Sequence, residues 1–156
     1  MKGHTEIERK YLLSYLPKSV LDSPHAEIAQ GYISGQNDSS EIRLREMAGL
    51  YYLTVKSHGG LIREEREIQL TSEQFTALWS LTEHRRIEKT RYFVQDEGPL
   101  IEVDVYKTAL SGLIVAEVEY TSVEQCLGFV PPEWFGEEIT EDDRYKNRSL
   151  AFNGPP

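Results

Sequence analysis

The chain has 156 residues, 39% apolar and 28% charged, with 26 acidic against 17 basic side chains and a net charge of −9. That is the composition of a soluble globular protein forming one domain over 1–156, able to bury roughly two-thirds of its unfolded surface. The acidic balance argues against a nucleic-acid partner or a basic membrane-docking face, and no apolar run approaches a membrane span. A single cysteine, Cys126, excludes an internal disulfide and a thiolate metal cluster, so a reducing cytoplasm is the expected setting.

Residues 5–13 read TEIERKYLL. Their period of two predicts a strand over about 4–13 that places Glu6, Glu8 and Lys10 on one face. Alternating segments at 27–34, 41–47, 50–57, 62–70, 86–95, 99–107 and 112–121 predict seven more strands. Short turn signals separate most of them, so the sheet should be mainly antiparallel. Helices are expected over about 17–22, from Ser72 to about Glu83, over 122–128, and from Thr140-Glu141-Asp142-Asp143 to about Phe152. The class is α+β, with helices packed outside an eight-stranded antiparallel sheet.

Nearly every strand carries a charged i, i+2 pair, and the pairs are sorted by sign. Glu41, Arg43 and Arg45 alternate on the third strand, and Lys56 stands on the fourth. Arg63, Glu65 and Glu67 share a face on the fifth, and Lys89 and Arg91 on the sixth. Glu102 and Asp104 follow on the seventh, and Glu117 and Glu119 on the eighth. A half-exposed sheet with one wet face accounts for any one strand. It does not account for like charges repeated two apart on several strands, which repel unless opposite charge lies between them.

Eight strands suffice to close a barrel with no free edges. A barrel lined by acids and bases is unstable as a dry core, because an unpaired buried charge costs several kcal/mol. It is sensible as an ion-filled tunnel, with carboxylates holding a divalent metal and Arg and Lys holding an anion that bridges to it. A polyphosphate suits several separate basic pairs. No G-x-x-x-x-G-K-[ST] loop is present, and the four histidines lack metal-motif spacing.

The ExExK of Glu6, Glu8 and Lys10 resembles the signature of the CYTH superfamily, the triphosphate tunnel metalloenzymes. ExRxR at 41–45, TVK ending at Lys56, RxExE at 63–67, KxR at Lys89 and Arg91, and ExE at Glu117 and Glu119 follow in that family's order. The tail DDRYKNRSLA extends the match across nearly the whole chain. The resemblance implies an eight-stranded antiparallel β-barrel tunnel holding Mg²⁺ or Mn²⁺ and a triphosphate. Within that family the chain most resembles the small bacterial members similar to inorganic triphosphatases, which implies cleavage of tripolyphosphate to pyrophosphate and phosphate.

On that resemblance Glu6, Glu8, Glu117 and Glu119 are the expected metal ligands, with Asp104 and less surely Glu102 serving a second metal. Arg43, Arg45, Lys56, Lys89 and Arg91 are expected to cradle the phosphates, with Arg144 added if the C-terminal helix plugs one tunnel end. Lys10 is the expected proton-transfer group, crowded by cations and hydrogen-bonded by Tyr32. Glu65 and Glu67 could instead orient basic neighbours. A thiamine triphosphatase, an adenylyl cyclase and a non-catalytic polyphosphate- or nucleotide-binding module remain alternatives, and both monomer and homodimer stay open.

Overall fold

The computed structural model describes residues 7–57 and 64–156. Glu6 and Arg63, both expected on the charged face, lie outside the described residues. The eight strands are β1 (Ile7–Leu12), β2 (His25–Tyr32), β3 (Glu41–Met47), β4 (Leu50–Lys56), β5 (Glu65–Leu70), β6 (Arg86–Val94), β7 (Ile101–Tyr106) and β8 (Ile114–Tyr120). They form one sheet in the order β1-β8-β7-β6-β2-β3-β4-β5, and every pairing is antiparallel. Side chains from all eight strands line a single cavity, so the sheet curls into a tunnel with the charged face inward.

The hydrogen-bonded ring is not closed among the described residues, since β1 and β5 end the strand order. The open edge of β1 has another partner. Leu12 N–H donates to the Glu137 carbonyl at 2.8 Å, Gly136 N–H to that of Leu12 at 2.7 Å, and Ile139 N–H to that of Lys10 at 2.8 Å. Lys10 N–H in turn donates to Thr140 Oγ1 at 3.0 Å. Segment 136–140 thus satisfies backbone groups that an exposed edge would leave unpaired. Gly136 is required there, because a Cβ would stand 2.6 Å from the Leu12 carbonyl oxygen.

The helices are α1 (Lys18–Leu21), α2 (Ser72–Trp79), α3 (Val123–Gly128) and α4 (Asn147–Asn153). Thr71 rather than Ser72 caps α2, in a reciprocal capping box with Gln74. The expected C-terminal helix is shorter than its sequence pattern. Asp142 accepts from Arg144 N–H and starts only the short turn Asp143–Tyr145, after which Lys146 is extended and α4 begins at Asn147. The β3–β4 hairpin turns on Ala48 and Gly49, both at positive φ (52° and 76°), as a two-residue turn of matching twist needs.

The outward apolar faces of β1, β8 and β7 form one core. Tyr11, Val103, Ala116, Val118 and Tyr120 pack there with Val20 of α1, Cys126 of α3, Phe129 and Phe135. A second core lies at one end of the tunnel itself. Ile87, Tyr106 and Val115 are in phase with the charged residues of β6, β7 and β8, yet they pack with Ile139 and with Leu150 of α4. The inner face therefore turns from charged to apolar along these strands, and α4 seats on the apolar end.

On the outside, β2 passes directly beneath the end of α2. A Cβ on Gly31 would meet Thr82 Cβ and Oγ1 at 2.6 Å and Trp79 Cζ3 at 2.9 Å. Gly31→Ala is expected to cost about 1–3 kcal/mol through overpacking. Urea unfolding checks this, and an unchanged midpoint would refute so close an approach.

Candidate active site

Strand order decides the electrostatics of the tunnel. The acidic strands β1, β8 and β7 are neighbours, and their registers place Glu8 opposite Glu119 and Glu102 opposite Glu117. Like charges directly opposed destabilise a sheet, so this wall favours a cation. Lys10 supplies part of it: it stands opposite Glu117, with Nζ 3.8 Å from both Glu117 Oε2 and Glu8 Oε1. The Glu117 carboxyl sits in a divided environment. Burial pushes it up, but a hydrogen bond with Glu8 and the charges of Lys10 and Arg91 hold it below the usual carboxylate range. Burial pushes Glu102 up, against the pull of Arg91.

The basic wall is built by β3 and β4. Arg43 and Arg45 point inward from alternate positions, beside Thr54 and Tyr52 of β4. Their Nε atoms are both enclosed and without a hydrogen-bond partner. Burial, then the charge of Arg43, holds the Arg45 guanidinium below its ordinary range. Glu65 and Glu67 of β5 face these arginines at 4.0 Å (Glu65 to Arg43) and 3.8 Å (Glu67 to Arg45). Thr54 Oγ1 fixes Glu67 with a 2.7 Å hydrogen bond. These distances balance charge without filling the arginine donors. Lys56 lies on the same lining, opposite Glu41 and Glu65.

Between the walls, β6 and β7 carry a buried charge cluster. Lys89 Nζ donates to Asp104 Oδ2 at 2.6 Å, and the Arg91 guanidinium grips both Asp104 oxygens at 2.7 and 2.9 Å. Arg91 also reaches Glu102 at 2.5 Å. Burial would raise the Asp104 carboxyl, yet the two cations bring it down to about 2. Burial pushes Lys89 down, while Asp104 opposes that shift. The sequence pointed to Asp104 as a second-metal ligand. The structure gives both of its oxygens to Lys89 and Arg91, and of the β7 acids it is Glu102 that lines the cavity.

Most other expected residues are brought together. Glu8, Lys10, Arg43, Arg45, Lys56, Lys89, Arg91, Glu117 and Glu119 all line one cavity of about 370 Å³. Tyr32 lines a contiguous cavity of about 280 Å³ together with Lys10. Its hydroxyl accepts a 2.8 Å hydrogen bond from Gln30 Nε2, where Lys10 was the expected partner. Burial holds that phenol well above its ordinary range. The cations expected to crowd Lys10 are also not its nearest charged neighbours, which are Glu8 and Glu117.

Arg144 is not brought to the tunnel. Its side chain is largely exposed and pairs with Asp142 at 2.7 Å. The later start of α4 turns Asn147 and Arg148 to the lining instead, and the sequence reading passed over both. Asn147 Oδ1 accepts from Tyr106 at 2.6 Å and lies 3.4 Å from Lys89 Nζ. Only the interruption at Lys146 distinguishes these positions from Arg144, and it carries no sequence signal stronger than the local acidic run.

No protein-family model matches this chain. An inorganic triphosphatase of Nitrosomonas europaea is 48% identical over 152 residues, covering 97% of this chain and 99% of that one. Another, of Acetivibrio thermocellus, is 37% identical over 155 residues, covering 95% and 94%. A crystal structure of an inorganic triphosphatase superposes with a TM-score of 0.80 at 44% identity, covering 98% of each chain. A Hippeastrum protein described as an adenylyl cyclase with dominant triphosphatase activity shares the fold at a TM-score of 0.57 and 18% identity, covering 80% of this chain and 83% of that one. With the ordered charge motifs on one tunnel lining and relatives this similar over their full lengths, the chain belongs to the inorganic triphosphatase family of the CYTH superfamily, the triphosphate tunnel metalloenzymes.

Proposed function

We propose that the protein hydrolyses inorganic tripolyphosphate to pyrophosphate and orthophosphate inside the tunnel, with Mg²⁺ or Mn²⁺. The observation that carries this reading is the division of one lining into a carboxylate wall and a guanidinium wall, with the enclosed Arg43 and Arg45 Nε donors unfilled. Buried donors without partners are rare and mark places where a ligand completes the hydrogen bonding.

Membership of this family implies a divalent metal. The donor chemistry fits: Glu8, Glu117 and Glu119 offer hard oxygen ligands on adjacent strands. Among the described residues no three such side chains form a complete cage. Mg²⁺ and Mn²⁺ bind through one or two carboxylates together with water and substrate phosphates. Glu6, two positions before Glu8 in ExExK, is a further candidate ligand. When bound, the metal supplies charge for the phosphate oxygens and acidifies water.

The chain's own residues do the rest. Arg43, Arg45 and Lys56 hold the anion and offset charge on its equatorial oxygens. Water adds to a terminal phosphorus, the P–O bond to the bridging oxygen breaks, and pyrophosphate leaves with its electron pair. Lys10, between Glu8 and Glu117, donates to and places the water, whose proton passes to a phosphate oxygen as the bridging bond breaks, with Tyr32 and Gln30 shaping the wall beside it. Arg91 and Lys89 reach the cavity from a rigid cluster whose geometry Asp104 sets.

A phosphate-release assay over tripolyphosphate, thiamine triphosphate, ATP and pyrophosphate tests the reading. Tripolyphosphate should give the highest kcat/KM, because charged residues line the tunnel and only phosphate engages them all. Better turnover of thiamine triphosphate, or cyclic AMP from ATP, would reassign the substrate. Binding without turnover of any of them would make the protein an anion-binding module.

A further inference from the structure

Outside the tunnel, two buried hydroxyls have no hydrogen-bond partner, those of Tyr11 and Tyr120. The two residues stand on the outward face of β1 and β8 and are 2% and 4% exposed. Tyr11 lies opposite Ala116 and Tyr120 opposite Ile7, so the phenols flank Arg9 on one face. Phe129 packs on both, with ring centroids at 6.5 Å from Tyr11 and 5.5 Å from Tyr120. A buried tyrosine normally finds a partner for its hydroxyl, so two without one, side by side, call for an acceptor.

The neighbour that both phenols share is Cys126 of α3, which is half-buried and packs against this cluster. Arg9 Nη1 donates to the Cys126 carbonyl at 3.3 Å, while its Nε and Nη2 hold Glu138. Arg9, Cys126 and Glu138 all act on the acidity of both phenols, and Tyr11 acts on that of Tyr120. The thiol, the two phenols and the guanidinium therefore converge on one small space, yet neither phenol is bonded to the sulfur. An oxygen attached to that sulfur would be the acceptor both lack.

We propose that Cys126 is a site of reversible oxidation to a sulfenic acid, whose oxygen is held by the Tyr11 and Tyr120 hydroxyls. The oxidant is a hydroperoxide, small enough to reach a half-buried thiol. The sulfur, its proton lost to solvent, attacks the outer peroxide oxygen. The S–O bond forms as the O–O bond breaks, and the leaving oxygen takes a proton and departs as water or an alcohol. Sulfur loses two electrons and the peroxide gains them. Cys126 is the only cysteine in the chain, so no second thiol of the same chain condenses with the product. An external thiol reverses the step through a mixed disulfide, with loss of water, and a second thiol frees the cysteine. The site is separate from the reaction in the tunnel, since Arg9 and Tyr11 alternate with Glu8 and Lys10 and face the other way.

The test exposes the whole protein to hydrogen peroxide, traps sulfenic acid with dimedone and reads the Cys126 peptide by mass spectrometry. Wild type should accumulate the dimedone adduct at Cys126, and dithiothreitol given before dimedone should abolish it. Combining Tyr11→Phe with Tyr120→Phe should cut the trapped fraction about tenfold, the worth of two hydrogen bonds, in favour of sulfinic and sulfonic acid. Oxidation without dimedone should raise the wild-type melting temperature by about 2–8 °C, because two orphaned donors gain an acceptor, and should not raise that of the double variant. Cys126→Ser should show neither adduct nor shift. Far-UV circular dichroism checks that each variant is folded, and the single Phe variants, with intermediate losses, serve if the double one is not.

Absence of the adduct in wild type would overturn the proposal, as would a melting temperature that falls on oxidation. So would equal trapping with the phenols removed, which would leave the two hydroxyls to a buried water and Cys126 to packing alone.

Discussion

Chelation of divalent metal is expected to abolish phosphate release from tripolyphosphate, and Mg²⁺ or Mn²⁺ should restore it. Glu8→Gln should lower kcat/KM by about 10²–10⁴-fold even with metal present. The scale follows from about 3–5 kcal/mol of charge stabilisation supplied by a bound cation, at 1.36 kcal/mol per decade. The physical cause is the wall of like charges: Glu8 faces Glu119, and Glu102 faces Glu117. Without a cation these carboxylates repel one another and any incoming anion. Removing one charge should therefore not lower the stability of the metal-free protein. Phosphate release at the wild-type rate in chelator would rule out this mechanism, and wild-type kinetics in Glu8→Gln would take Glu8 out of the ligand set.

Asp104→Asn should cause a large loss of stability, about 3–5 kcal/mol, because it leaves two buried cations short of their anion. For a chain of this length that is a fall of about 6–20 °C in Tm, read by thermal unfolding at neutral pH in chelator. The same carboxylate makes stability depend on acid. Its pKa is about 2 in the folded protein against an ordinary 3.8, so its contribution is complete above about pH 4. It is lost as pH falls through the folded value, and the shift corresponds to about 2 kcal/mol. Asp104→Asn should flatten that part of the pH–stability profile. If the variant were as stable as wild type without metal and weaker only in metal affinity, Asp104 would belong with the metal ligands after all.

These two predictions divide the carboxylates by their neighbours, which the sequence could not do. Glu8, Glu102, Asp104, Glu117 and Glu119 all appear as acids at alternate positions on strands. Only the registers show that Asp104 falls beside Arg91, while Glu102 falls beside Glu117. An inward-facing acid and an inward-facing base look alike to a period-two pattern. What they do depends on which side chain the next strand presents.

Local pattern determined a great deal here. Alternation located all eight strands to within a few residues and chose which face turns inward, because a strand's two faces are defined by its own backbone. Sorting by sign along each strand already implied a mixed-charge lining that needs ions. The start of α2 was legible to one residue, since capping is a contact between near neighbours.

Tertiary structure decided what depends on residues far apart in the chain. The order β1-β8-β7-β6-β2-β3-β4-β5 gathers the acids on one wall. Segment 136–140 takes the open edge of β1, although nothing in its composition reads as a strand. Tyr32 pairs with Gln30 two residues away on its own strand, whereas Lys10 meets Glu117 from the far end of the chain. The seat of α4 on Ile87, Tyr106 and Val115 turns Arg148 inward and leaves Arg144 outside. Helical phase depends on where the helix starts, and the break at Lys146 sets that start only once Leu150 has an apolar end of the tunnel to fill.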